Sequence, residues 1–111
     1  MRILVVEAKP PVRHAIDIML TRRQHHVILA ASIFEAMAAL IDHDMSPEIA
    51  LLDHAVAGMG GFAYAERLVR QFPGLRVIIM ATGGGDDAAV RGWAFLAKPF
   101  TFRELVDAVE Q

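Results

Sequence analysis

Two acids, a threonine and a lysine stand where apolar runs end. Glu7 follows Ile3-Leu4-Val5-Val6, and Asp53 follows Ile49-Ala50-Leu51-Leu52. Thr82 comes just past Val77-Ile78-Ile79-Met80, and Lys98 follows Phe95-Leu96-Ala97. The set suits phosphoryl chemistry. A carboxylate acting as nucleophile gives an acyl phosphate. Carboxylates also supply the oxygen ligands that a hard divalent cation needs. A hydroxyl and an ammonium can hold phosphoryl oxygens as charge develops in transfer.

The apolar runs that precede these residues, with Val27-Ile28-Leu29-Ala30, read as buried parallel strands. They are continuously apolar rather than alternating. Helix-period segments separate them. Pro10-Pro11 suits a first helical turn, and Val12, Ala15, Ile16, Met19 and Leu20 follow as one stripe. Ser32 and Glu35 have capping-box spacing, ahead of Ala36, Met37, Leu40 and Ile41. A third helix is predicted from Phe62 to Phe72, ending at Pro73-Gly74. Thr101 and Glu104 open a last helix with the stripe Phe102, Leu105, Val106 and Val109. Between Met80 and Phe95 the pattern fails. Gly83-Gly84-Gly85 disfavours helix, and Asp86 to Arg91 make only about one and a half turns. Strands alternating with helices imply a doubly wound sheet, with ligands outside the carboxyl ends of its strands. The four polar residues then share one edge.

The chain has 111 residues, 55% hydrophobic and 22% charged, with a net charge of −2 and no cysteine. One domain, residues 1–111, is predicted. Disorder, disulfide frameworks and thiolate metal sites are excluded. Without a basic patch, no nucleic-acid partner is expected. Without a long apolar run or a signal peptide, no membrane partner is expected and the predicted location is cytoplasmic. His14, His25, His26, His43 and His54 show no metal-ligand spacing. His25-His26 reads as a solvated turn.

The stretches ILVVE at 3–7, IALLD at 49–53, VIIMATG at 77–83 and LAKPF at 96–100 resemble the receiver domain of two-component response regulators. The resemblance spans almost the whole chain. It implies a CheY-like, five-stranded parallel sheet of order 2-1-3-4-5, with a short or disordered fourth helix. It also implies that Asp53 is the phosphoacceptor, that Thr82 and Lys98 contact the phosphoryl group, and that Thr82 and Phe95 form the switch. The Lys98–Pro99 bond would be cis. A Mg²⁺ ion would use Glu7, Asp53 and the backbone carbonyl of Ala55. The phosphoryl donor would be a sensor histidine kinase or a phosphotransfer protein, and the output would pass to an unknown downstream protein. Beyond its own phosphorylation and dephosphorylation, no enzyme activity is implied. ATGGGDD at 81–87, closely followed by LAKPF, is similar to the FAT GUY group of receivers.

The chain departs from that pattern in three places. The second acid after the first strand is Ala8, followed by Lys9, which weakens the expected Mg²⁺ site. The Lys9 ammonium is a candidate replacement for the lost metal charge. The loop after Asp53 reads Val56-Ala57-Gly58-Met59-Gly60-Gly61 and lacks the usual proline, so a looser loop is expected. Phe95 has no hydroxyl. These departures leave an alternative, a phosphorylation-independent pseudo-receiver that binds proteins. An aspartate-nucleophile phosphatase is disfavoured, because the position two residues past Asp53 is Ala55 rather than an acid. A flavodoxin-like cofactor binder is a further, weaker reading.

Overall fold

In the computed structural model, residues 1–43, 46–56, 60–83, 88 and 91–111 are described. Their elements in chain order are β1 (Arg2–Val6), α1 (Pro10–Arg22), β2 (His26–Ala30), α2 (Ile33–His43), β3 (Ile49–Asp53), α3 (Gly61–Gln71), β4 (Arg76–Ala81), β5 (Ala94–Ala97) and α4 (Phe102–Glu110). The strands form one sheet in the order β2-β1-β3-β4-β5, parallel throughout. This is the predicted topology. The expectation of a short or disordered helix at Asp86–Arg91 lies largely outside the described residues.

The apolar runs are explained by burial on both faces. Leu4, Val6, Ala50, Leu52, Val77 and Ile79 face one core with α2 and α3. Ile3, Val5, Ile49, Leu51, Ile78 and Met80 face the other, with α1 and α4. Each buried Leu or Ile contributes about 1.5–3 kcal/mol. A one-residue register slip would exchange the two faces of a strand.

The helix signals hold in outline and differ in detail. Thr101 and Glu104 form the reciprocal capping box of α4. At α2, Ser32 Oγ accepts from Glu35 N, but the Glu35 carboxylate reaches the N–H of Ala31 rather than Ser32. Ile41 and Phe102, assigned to apolar stripes, are 78% and 45% exposed. His25 is no solvated turn residue either. Its side chain is 8% exposed and lies 2.9 Å from Glu110 Oε2. Arg23 donates to both oxygens of the same carboxylate, so hydrogen bonds from Arg23 and His25 hold Glu110 down to about 2.

Tyr64, the single tyrosine, is buried, and its hydroxyl has no hydrogen-bond partner among the described residues. Burial pushes its pKa up to about 12, against a smaller lowering by Arg67. Absorbance at the tyrosinate band should therefore stay flat through pH 10 while the protein is folded. Because the folded pKa is raised, Tyr64 adds nothing to pH dependence below about pH 10. It destabilises progressively from there to about pH 12. A phenol titrating near its ordinary value in folded protein would refute this burial.

Candidate functional site

The carboxyl ends of β1, β3, β4 and β5 converge, as parallel strands require. Glu7 leaves β1 fully buried, its N–H donating to Ala30 O at 3.0 Å. Asp53 ends β3 and is 8% exposed. Lys98 leaves β5, its N–H donating to Ala81 O at 2.9 Å. Its ammonium lies between the two acids, bonded to Glu7 Oε1 and 3.2 Å from Asp53 Oδ1. The Lys98–Pro99 peptide is cis. Burial lowers the Lys98 pKa, but hydrogen bonds to Glu7 and Asp53 outweigh it and raise the pKa above its ordinary value. The ammonium is therefore charged throughout the physiological range.

A cleft of about 400 Å³ opens over Asp53, lined by Lys9, Asp53, His54, Ala55, Ala81, Thr82, Gly83 and Lys98. Thr82 is exposed at the lip, and no described hydrogen bond joins it to Asp53. Ala55 is exposed at the same lip. Phe95 lies half-buried against the core under α2 and α3. No described residue donates to Asp53 Oδ2, and Asp53 lines the cleft.

The donor set fits Mg²⁺ only in part. Asp53 lines the cleft with Ala55 while Glu7 lies fully buried, and Mg²⁺ binds proteins through one or two carboxylates plus water. It is a thin set. No group of three or more acidic, His or Cys side chains stands together among the described residues. Glu7 Oε2 already accepts the N–H of Lys9 at 3.1 Å, and Oε1 holds Lys98.

The model of the response regulator receiver domain family matches residues 3–110. The chain belongs to that family. As a receiver domain it is 34% identical over 86 residues to the DNA-binding transcriptional regulator NtrC of Escherichia coli, covering 73% of this chain and 17% of NtrC. It is 32% identical over 90 residues to the transcriptional regulatory protein AfsQ1 of Streptomyces coelicolor, covering 79% and 37%. The chain thus spans a minor part of both relatives. Among solved structures, the receiver domain of NtrX from Brucella abortus superposes with a TM-score of 0.86 at 28% identity, over 97% of this chain and 94% of that one. The response regulator TrrA of Thermotoga maritima, solved in complex with Mg²⁺-BeF, superposes with a TM-score of 0.84 at 21% identity, over 98% and 96%. At that identity the likeness to TrrA concerns the fold alone.

Three features of this receiver's site went unread in the sequence. Arg13, one α-helical turn into α1, donates to the carbonyls of Glu7 and Ala8 and pins the β1–α1 loop. Phe62 packs between the rings of His54 and Trp93, at 4.8 and 5.8 Å, and the Arg91 guanidinium lies over both Phe62 and Trp93. Periodicity carries no signal for such a cluster, which joins residues far apart in the chain. The third is Gly61, where α3 meets the end of β3. A Cβ there would lie 2.9 Å from Asp53 O and 3.0 Å from His54 Cα, both backbone atoms. Its sequence signal is the Gly60-Gly61 pair ahead of a helical pattern, Gly60 having φ +89°. Gly61→Ala should cost about 2 kcal/mol in urea unfolding, since the backbone must move. It should also displace the end of β3 at Asp53. Unchanged stability would mean that this approach is looser than it looks.

Proposed function

We propose that this receiver accepts a phosphoryl group on Asp53 from a sensor histidine kinase or a phosphotransfer protein, and thereby switches a protein–protein interaction. The observation that carries the reading is the Asp53 carboxylate lining the cleft, one oxygen held by Lys98 and the other without a described donor. In the transfer, the free Asp53 oxygen forms a bond to phosphorus. The bond from phosphorus to the donor nitrogen breaks, and its electron pair leaves with the donor. Lys98 and Thr82 take phosphoryl oxygens, and Lys98 must swing part of its charge from Asp53 to the new group. Glu7, Asp53 and the Ala55 carbonyl would hold Mg²⁺, which when bound supplies positive charge to the phosphoryl oxygens.

An apolar groove of about 480 Å³ adjoins the cleft, lined by Val12, Ala15, Met19, Pro99 and Phe100, and shares Lys9, Thr82 and Lys98 with it. It offers the donor protein a surface that leads to the acceptor. Thr82 and Phe95 carry the switch in this proposal. The chain catalyses nothing beyond its own phosphorylation and dephosphorylation. Membership of the FAT GUY group belongs to the same proposal, supported by Ala81-Thr82-Gly83. The pseudo-receiver reading rests on Ala8.

Acetyl phosphate and Mg²⁺ followed by rapid quench and intact-mass measurement separate the two. A single phosphoryl adduct is expected on the native chain. Absence of an adduct at high Mg²⁺ would leave the pseudo-receiver.

A further inference from the structure

The acceptor cleft holds a cation that the family pattern does not supply. Lys9 lines the cleft together with Asp53, Thr82 and Lys98, and also lines the adjoining apolar groove. Its backbone is anchored. The Lys9 N–H donates to Glu7 Oε2 at 3.1 Å, its carbonyl accepts from Arg13 N at 2.9 Å as α1 begins, and Arg13 clamps the two preceding carbonyls. The side chain thus leaves an anchored backbone, and Lys9 is exposed where the cleft and the groove meet. No acid within salt-bridge distance of Lys9 is found among the described residues, whereas Lys98 is held by both Glu7 and Asp53.

The charges around the acceptor follow from this placement. Glu7 and Asp53 contribute two negative charges, and Lys9 and Lys98 two positive ones. With Ala8 in place of an acid, the site is not negative before the phosphoryl group arrives. A divalent ion is needed most where several carboxylates surround an incoming dianion, and here a cationic side chain already lines the cleft.

We propose that Lys9 is the built-in cation of the acceptor cleft, pairing with a phosphoryl oxygen and making phosphorylation of Asp53 largely independent of divalent metal. The inference rests on Asp53 being the acceptor. In labelling by acetyl phosphate, the Asp53 oxygen bonds to phosphorus as acetate leaves with the electron pair of the broken P–O bond. Lys9 moves no proton in that step and contributes charge alone.

The test compares the native chain with Lys9→Met, Lys9→Arg and Ala8→Asp. Acetyl-phosphate labelling is followed by intact mass in chelator and in millimolar Mg²⁺, and Mg²⁺ affinity is read by calorimetry. The native chain should label in chelator within about tenfold of its rate in Mg²⁺. Lys9→Met should lose about tenfold in chelator and recover with Mg²⁺, while Lys9→Arg keeps the native rate. Lys9→Met and Ala8→Asp should each bind Mg²⁺ more tightly, by about fivefold or more, because one removes a repelling charge and the other adds a ligand. A merely structural lysine would not tighten Mg²⁺ binding when removed. Labelling of Lys9→Met at the native rate in chelator overturns the proposal, as does a native chain that labels only with Mg²⁺. A native chain that labels under neither condition overturns the acceptor reading itself.

Discussion

Lys98→Met should lower the unfolding free energy by about 3 kcal/mol, because it strands a fully buried Glu7 carboxylate without its cation. Methionine keeps the volume and the apolar stem of lysine, so the loss is electrostatic rather than a cavity. The second partner, Asp53, keeps some access to solvent, with a side chain 11% exposed. Glu7 has none. Its remaining described bond is the N–H of Lys9, which does not offset the desolvation of an ionised carboxylate. The double change Glu7→Gln with Lys98→Met should recover more than half of the loss, since a neutral amide costs far less to bury than an unpaired charge. Urea unfolding followed by circular dichroism reads both. A single variant as stable as the native chain would show that water reaches Glu7 and that the buried ion pair is not the hub of the site. The same variant should accept phosphoryl poorly, since the cleft loses an ammonium that faces the group.

Asp53→Ala should abolish the phosphoryl adduct entirely while costing no more than about 1 kcal/mol of stability. The two effects separate because Asp53 is not the main anchor of Lys98. Glu7 retains the ammonium when Asp53 is gone, so no buried charge is stranded. The backbone of residue 53 keeps its place in the ladder opposite Met80. Intact mass after acetyl-phosphate treatment, beside a urea midpoint, tests both statements. An adduct persisting on Asp53→Ala would move the acceptor to another residue and remove the central claim about this cleft. A large loss of stability would instead mark Asp53 as part of the scaffold.

Much of this architecture was legible from patterning. Runs such as Ile49-Ala50-Leu51-Leu52 have no polar face, which only a strand covered on both sides tolerates, and the βαβ alternation then leaves few topologies. The capping residues Thr101 and Glu104 marked a helix start to the residue. Local signals of this kind act between residues a few positions apart and need no distant segment, although at Ser32 and Glu35 only half of the reciprocal pair forms. Boundaries were less secure. β4 and β5 each begin a residue earlier than their apolar runs suggest, because Arg76 and Ala94 pair in the ladder while staying exposed.

The sequence by itself determined which residue types stand at the ends of the strands, and so which chemistry is available at the sheet edge. Glu7, Asp53, Thr82 and Lys98 were legible because a parallel sheet brings its carboxyl ends together, whatever the loops do. The tertiary structure alone decided how these residues divide their interactions. Lys98 reaches Glu7 and Asp53 together, across 91 and 45 positions of chain, and no spacing rule encodes that sharing. It decided that Glu7 is fully buried, that His25 pairs with Glu110, and that Gly61 must lack a Cβ where α3 meets β3. Each of these depends on atoms from distant segments meeting within a few ångströms. Periodicity reports which face of an element is apolar, but it is packing of the faces against one another that sets such distances.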